Sequence, residues 1–203
     1  MDYKTPPRRV RRHRSALSIF LTILIIAAVT VGVIAAGIYF SGIRYITSNT
    51  EDGLTIKYFG RVDKDGTLLT GKLYYSDGMT AEVDMQKNSI VYSNGDIYEG
   101  GISDLKKNGT GKIIYASGDV YEGEFVNDKL TGTGKYSFAN GDVYTGDFKA
   151  DVRTGEGKYT WANGEFYEGS FVDNKMSGKG KYTWPSGRVY EGTFENGKIV
   201  KEE

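Results

Sequence analysis

Five tyrosines, Tyr98, Tyr121, Tyr144, Tyr167 and Tyr190, stand 23 residues apart without slippage. Self-similarity at a fixed short period means one supersecondary unit stacked on its copies, which limits the possible folds severely. Two residues after each tyrosine comes Gly100, Gly123, Gly146, Gly169 or Gly192; four after comes Ile102, Phe125, Phe148, Phe171 or Phe194. A Gly-x-Gly-Lys step follows at 109–112, 132–135, 155–158 and 178–181. Then come Tyr136, Tyr159 and Tyr182, and after them Phe138, Trp161 and Trp184. Units close on Ser-Gly or Asn-Gly at 117–118, 140–141, 163–164 and 186–187.

Alternation settles the local structure. In Tyr-Glu-Gly-Glu-Phe from Tyr121, the tyrosine, glycine and phenylalanine face one way and the glutamates the other. In Gly-Lys-Tyr-Ser-Phe from Gly134 the two rings share a face opposite lysine and serine. Both segments read as half-buried strands joined by glycine-containing turns, so each unit is an antiparallel hairpin. A strict two-residue Asn-Gly turn pairs Phe138 with Val143 and puts Tyr144 on the opposite face. One added residue pairs Phe138 with Tyr144 and Tyr136 with Gly146, gathering every ring on one face, and this register is preferred. It sets Lys135 opposite Glu124 and Lys158 opposite Asp147 on a solvated face.

Two imperfect units precede the regular ones. Residues 58–80 keep the full length but carry Leu69 in place of the first glycine of Gly-x-Gly, as a terminal cap would. Residues 81–97 are shorter and lack the step, consistent with a tighter hairpin at Gln86–Asn88. With strands about 4.8 Å apart the array makes a single-layer sheet on the order of 60 Å long. No second layer is available to cover it, so its stability is a nearest-neighbour sum.

The pattern Tyr-Glu-Gly-x-Phe, about six residues, Gly-x-Gly-Lys-Tyr-x-Trp/Phe, x-Asn-Gly resembles the MORN (membrane occupation and recognition nexus) repeat. It is met strongly over residues 98–194 and weakly over 58–97. The resemblance implies an elongated antiparallel sheet of stacked hairpins used for protein contacts, oligomerisation or phospholipid binding. Some members carry an appended catalytic domain, whereas here nine residues follow Phe194.

The N-terminal region differs in kind. Residues 16–40 form a 25-residue run without a charge, preceded by Arg-Arg-Val-Arg-Arg-His-Arg. As a helix the run is about 37 Å long, enough to span a bilayer. A cleaved signal peptide is the rival reading, but its apolar core would be shorter, and a cut after Ala36 would leave Ile34 at the third position before it. Residues 1–43 hold six Lys/Arg and one acid; the other 160 residues hold 20 Lys/Arg and 25 Asp/Glu, so the two parts carry +5 and −5. The positive-inside rule keeps the N-terminus in the cytoplasm and exports the rest. Ala28, Gly32 and Ala36 share one helix face that permits close helix pairing.

The expected organisation is a basic cytoplasmic tail (1–15), a transmembrane helix (16–43), a juxtamembrane linker (44–57) and a repeat domain (58–203). Within the last, 58–97 are degenerate, 98–189 regular, and 190–203 a terminal partial repeat. The fold class is all-β, an elongated single-layer antiparallel sheet of stacked hairpins preceded by one transmembrane α-helix, in the plasma membrane.

Chemistry is hard to place on such a chain. There is no cysteine, and the one histidine, His13, lies in the basic tail. Metal, nucleophile and triad chemistry lose their usual participants. Glu99, Glu122, Glu168 and Glu191 recur at a glycosidase-like interval, yet on an open face with nothing to raise one pKa. Val-Asp-Lys-Asp-Gly-Thr at 62–67 opens like a calcium loop but has Tyr74 where the closing acid belongs. Asn108-Gly109-Thr110 fits a glycosylation pattern inside the repeat's own glycine step. A net −5 with lysines and acids interleaved disfavours acidic lipid and nucleic acid. No cofactor is expected.

What remains is the aromatic face: Tyr98, Tyr121, Tyr144, Tyr167, Tyr190, Tyr136, Tyr159, Tyr182, Phe138, Trp161 and Trp184. Rings in a row suit a protein partner, a second copy of the sheet or an extended glycan, or serve only to hold the hairpins together. The expectation is a non-enzymatic membrane-anchored scaffold.

Overall fold

A computed structural model describes Leu24, Ala28 and residues 42–50 and 53–200. Contacts divide the chain into residues 1–42 and 43–203. In the first unit Leu24 and Ala28 have helical backbone and are exposed; Gly32, Ala36 and the rest of the expected transmembrane helix lie outside the described residues. Among those residues no helix is long and apolar enough to cross a membrane.

The second unit is one antiparallel sheet with its strands in sequence order. They are β1 (Ile43–Asn49), β2 (Thr55–Val62), β3 (Leu68–Tyr75), β4 (Thr80–Asp84), β5 (Ser89–Tyr92), β6 (Ile97–Ser103), β7 (Lys106–Ile114) and β8 (Val120–Val126). The rest are β9 (Lys129–Ser137), β10 (Val143–Lys149), β11 (Val152–Thr160), β12 (Phe166–Val172), β13 (Lys175–Thr183), β14 (Val189–Glu195) and β15 (Lys198–Ile199). The array therefore starts earlier than expected. Residues 44–57, read as a linker, form β1 and the start of β2, with Ile46 opposite Tyr58.

Two turn types alternate, and neither is quite the one expected. Inside a unit the hairpin turns on two residues, Asn127-Asp128, Ala150-Asp151 or Asp173-Asn174, all at positive φ. Paired left-handed residues match the right-handed twist of the flanking strands, and Asn or Asp tolerates that conformation without a glycine. Between units the loop is Ala139-Asn140-Gly141, closed by Phe138 N–H donating to Asp142 O and Gly141 N–H to Phe138 O, both 2.9 Å, with Gly141 at φ 93°.

This corrects the register. The added residue lies before Asn-Gly, not after it, so Tyr144 pairs with Tyr136 and Gly146 with Gly134. All rings still share one face, because the observed and preferred pairings differ by two residues. The charge ladder moves too. Lys135 faces Glu122, and Lys158 faces Thr145 on one side and Glu168 on the other. The Lys158–Glu168 pair closes to 2.9 Å between half-exposed side chains and is worth about 0.2–1 kcal/mol.

The two glycines of Gly-x-Gly have separate jobs. The first (Gly109, Gly132, Gly155, Gly178) has φ of 57–78° and sits where the hairpin register shifts, as at Gly123/Glu124. The second lies under a tyrosine ring: a Cβ on Gly134 would come 2.5 Å from Tyr121 Cε2. In the first degenerate unit Leu69 replaces the bulge glycine, and the offset there shrinks to one residue. In the second the whole bulge is gone: β4 and β5 turn directly through Met85–Asn88, with Asp84 Oδ1 accepting from Gln86 and Lys87 N–H.

The loop Asp63–Thr67, the calcium-like stretch, is a hairpin turn whose Asp63 Oδ1 accepts from Asp65 and Thr67 N–H. Near its start the sheet bends enough for Lys106 Nζ to donate to Asn49 O at 2.6 Å, six strands away. A flat sheet would put them roughly 29 Å apart.

Candidate partner-binding face

The aromatic residues sort into two layers. Tyr98, Tyr121, Tyr144 and Tyr167 are fully buried, each ring lying over two glycines. Tyr121 is representative. Phe125 and Phe148 meet it edge-on at 5.2 and 5.1 Å, and its hydroxyl donates to Glu124 O at 3.1 Å. These rings are the sheet's own packing and no partner can touch them, so the expected eleven-residue face narrows. Tyr190, in the last full strand, is half-buried and donates to Val200 O at 3.1 Å.

The second layer is a continuous half-buried ladder. Centroids run Tyr115–Tyr136 6.1 Å, Tyr136–Phe138 4.5 Å, Phe138–Tyr159 5.9 Å, Tyr159–Trp161 4.7 Å, Trp161–Tyr182 5.3 Å and Tyr182–Trp184 4.8 Å. The first contact is stacked and the others tilted, and ring pairs of this kind add about 0.5–1.5 kcal/mol each beyond area burial. The other six residues of the expected face, Tyr136, Phe138, Tyr159, Trp161, Tyr182 and Trp184, all lie in it, and Tyr115 extends it.

Beside the ladder stands a column that sequence reasoning missed. Asp142 accepts from Tyr159 OH at 2.7 Å, from Ala162 N–H at 2.8 Å and from Asn140 Nδ2 at 3.1 Å. Asp119 does the same for Tyr136 OH and Ala139 N–H at 3.0 and 2.8 Å. Glu165 accepts from Tyr182 OH at 2.8 Å. There Pro185 occupies the place of Ala162 and has no N–H to offer, so the longer acid serves only the hydroxyl. The bond from Tyr159 holds the Asp142 carboxyl below its ordinary pKa. The signal was present: Asp96, Asp119, Asp142 and Glu165 keep the same 23-residue period.

Among the cations that rest on rings of the described residues are Arg153, Lys107 and Arg188. The Arg153 guanidinium lies 5.8, 5.5 and 5.3 Å from Phe138, Tyr144 and Tyr159. Lys107 Nζ lies 5.2 Å from Tyr92 and 6.0 Å from Tyr98, and pairs with Asp128 at 3.1 Å. Arg188 stacks on Trp184 at 3.9 Å.

Burial pushes the hydroxyls of Tyr98, Tyr121, Tyr144 and Tyr167 up to about 12. Tyr159 and Tyr182 reach about 12 by burial first and by their carboxylate partners second. Below pH 10 the unfolded chain also keeps these protons, and the contribution is intact. Between about 10 and 12 the unfolded chain loses them first, so stability falls. The melting temperature should hold from neutral pH to about 9.5 and drop steeply beyond 10, in step with tyrosinate absorbance. A flat profile through pH 12 would contradict the buried-tyrosine packing.

A sheet of stacked hairpins with matched residues on every strand defines a repeat-array protein. The MORN repeat model matches residues 98–120, 121–143, 144–166, 167–187 and 190–200, so over residues 98–200 this is a MORN-repeat protein. Strands β1–β5 continue the same sheet ahead of the matched region. No curated protein matches the chain. Among solved structures, the TCP domain of Drosophila melanogaster SAS-4, in complex with a proline-rich motif of Ana2, is 14% identical. The match covers 93% of this chain and 99% of that one at a TM-score of 0.39. The TCP10 domain of Danio rerio CPAP, in complex with a STIL peptide, is 12% identical over 74% of this chain and 100% of that one, with a TM-score of 0.23.

Proposed function

We propose that this chain is a non-enzymatic, membrane-tethered scaffold whose aromatic ladder binds a protein partner or a second copy of itself. The observation that carries the reading is the half-buried row from Tyr136 to Trp184, a contiguous ring surface left partly open beside a fully closed tyrosine core. Half-exposed Tyr and Trp offer large rigid contact area with little side-chain entropy to lose. The tether is the uncharged run 16–40 behind its arginines, with the N-terminus in the cytoplasm and the sheet outside.

The test is affinity capture from cells with the full chain and with a Trp161→Ala/Trp184→Ala variant. The chain should sediment with membranes and require detergent for release. Its specific partners, or its self-association, should weaken by about tenfold or more in the variant, the usual cost of removing an aromatic anchor. Identical recovery with both proteins would remove the ladder from the account, and a freely soluble chain would remove the tether.

A further inference from the structure

We propose that a cavity beside the first strands binds a small uncharged aromatic ring with one hydrogen-bonding group, of the size of phenol or indole. The site is separate from the ladder and does not depend on the ladder being a contact face.

The cavity holds about 210 Å³ and gathers residues from distant strands. Leu54 comes from the β1–β2 loop, Tyr75 from the end of β3, and Met79 from the loop after it. Tyr92 ends β5, Lys107 lies in β7, and Asp128 belongs to the β8–β9 turn. The bend that carries Lys106 Nζ to Asn49 O brings these elements to one place. Mouths of curled sheets are where such folds commonly hold ligands.

The lining departs from the repeat. The loops at 50–54, 75–79 and 138–142 close in the same way: the first residue's N–H donates to the oxygen four residues on, and the loop glycine's N–H donates back. Leu54 and Met79 therefore occupy the place where Asp96, Asp119, Asp142 and Glu165 stand in later units. Where those units set a carboxylate, this end sets a branched alkyl group and a thioether. The Tyr75 hydroxyl bonds instead to that of Tyr92, which also accepts from Lys107 Nζ at 3.1 Å. The two tyrosine rings lie 6.2 Å apart.

Size and polarity select the ligand. An apolar cavity of about 150 Å³ takes benzene, so this larger one has room for a ring with a substituent or a fused pair. The thioether and the two tyrosine rings favour a flat π-system over a saturated ring. On the polar side charge is balanced: Lys107 pairs with Asp128 at 3.1 Å, and Lys129 and Asp151 add one charge of each sign. A charged ligand would lose its water against the apolar lining with no unbalanced charge to offset the loss. A single hydroxyl or indole N–H has the Tyr92 hydroxyl and the Asp128 carboxylate within the lining as partners.

The test is ligand-observed NMR of phenol and indole with the full chain in lipid nanodiscs, with protein-free nanodiscs subtracted to remove partitioning into lipid. Binding should saturate with a Kd on the order of 0.1–1 mM, an ordinary strength for so small a ligand. Met79→Phe fills the cavity and Met79→Asp restores the acid of the later units; each should weaken binding by about tenfold or more. Met79→Leu keeps size and polarity and should stay within about twofold. Should Met79→Phe fail to fold, Leu54→Phe fills the space from the opposite loop. Benzoate and benzylamine should bind about tenfold more weakly than phenol, and cyclohexanol measurably more weakly. Trp161→Ala should leave indole binding unchanged. N-Acetyltryptophanamide identifies the source of the ring: binding like that of indole upholds the site as one for a partner's side chain, and rejection upholds it as one for a free small molecule. No saturable binding, undiminished binding in the filled variants, charged rings or cyclohexanol binding as tightly as phenol, or dependence on Trp161 would each overturn the proposal.

Discussion

Gly146→Ala should cost about 3 kcal/mol or more and open the array in the middle, although it adds a single methyl group. The new Cβ would meet Glu156 O, Gly157 Cα and the Tyr144 hydroxyl, each at 2.6 Å. Two of these atoms are backbone of the neighbouring strand, and the third belongs to a fully buried ring. Nothing there can step aside without separating β10 from β11. Because each hairpin is held mainly by its neighbours, the break should divide one cooperative unfolding transition into two. The control is Gly164→Ala, where the Cβ has nothing within 4 Å but the backbone stays at φ 89°. That change should cost only about 1–2 kcal/mol, the strain of a left-handed alanine, and leave unfolding in one step. Calorimetry of both variants separates steric exclusion from backbone conformation. Equal shifts would mean that the glycine row is not tightly packed.

Much of this was readable in advance. Period-2 alternation assigned the faces, and the 23-residue period assigned a hairpin to each unit, because both depend on side-chain direction alone. The register was missed by two residues for a definable reason. A three-residue loop can be cut from this stretch as Ala139-Asn140-Gly141 or as Asn140-Gly141-Asp142. In such loops the left-handed residue comes third, after a type I turn, so glycine belongs at the end. Applied to Gly141, that rule selects the observed pairing. The inner turns hid differently, since Ala150 and Leu105 hold left-handed backbone that their identities do not advertise. The acid column was visible in the period, but Asp before a strand also reads as ordinary turn chemistry. Only the 2.7 Å bond from Tyr159 ties it to the rings. The burial difference between tyrosines one strand apart was the least legible. Tyr144 and Tyr136 pair directly, and what separates them is the residue two places on: Gly146, over which Tyr144 lies flat, against the bulky Phe138.

That difference makes the second large effect a comparison. Tyr121→Ala should destabilise by about 4 kcal/mol, in the range for deleting a buried ring and leaving a cavity. The ring packs on Phe125, Phe148 and Tyr136 and covers Gly123 and Gly134, so its loss uncovers two strands. Trp161→Ala removes a larger side chain, yet this indole is half-buried and touches mainly Tyr159 and Tyr182. Its stability cost should be about 1–2 kcal/mol, the ring-contact share without a full cavity. Partner binding should respond in the opposite order. Trp161→Ala should weaken capture at temperatures where it is still folded, while Tyr121→Ala should affect capture only through the fraction unfolded. Denaturant melts and capture measured on the same preparations check both halves. Were Tyr121→Ala to weaken binding while fully folded, the division into a closed tyrosine core and an open ladder would fail. The half-exposed rings would then be packing rather than a contact face.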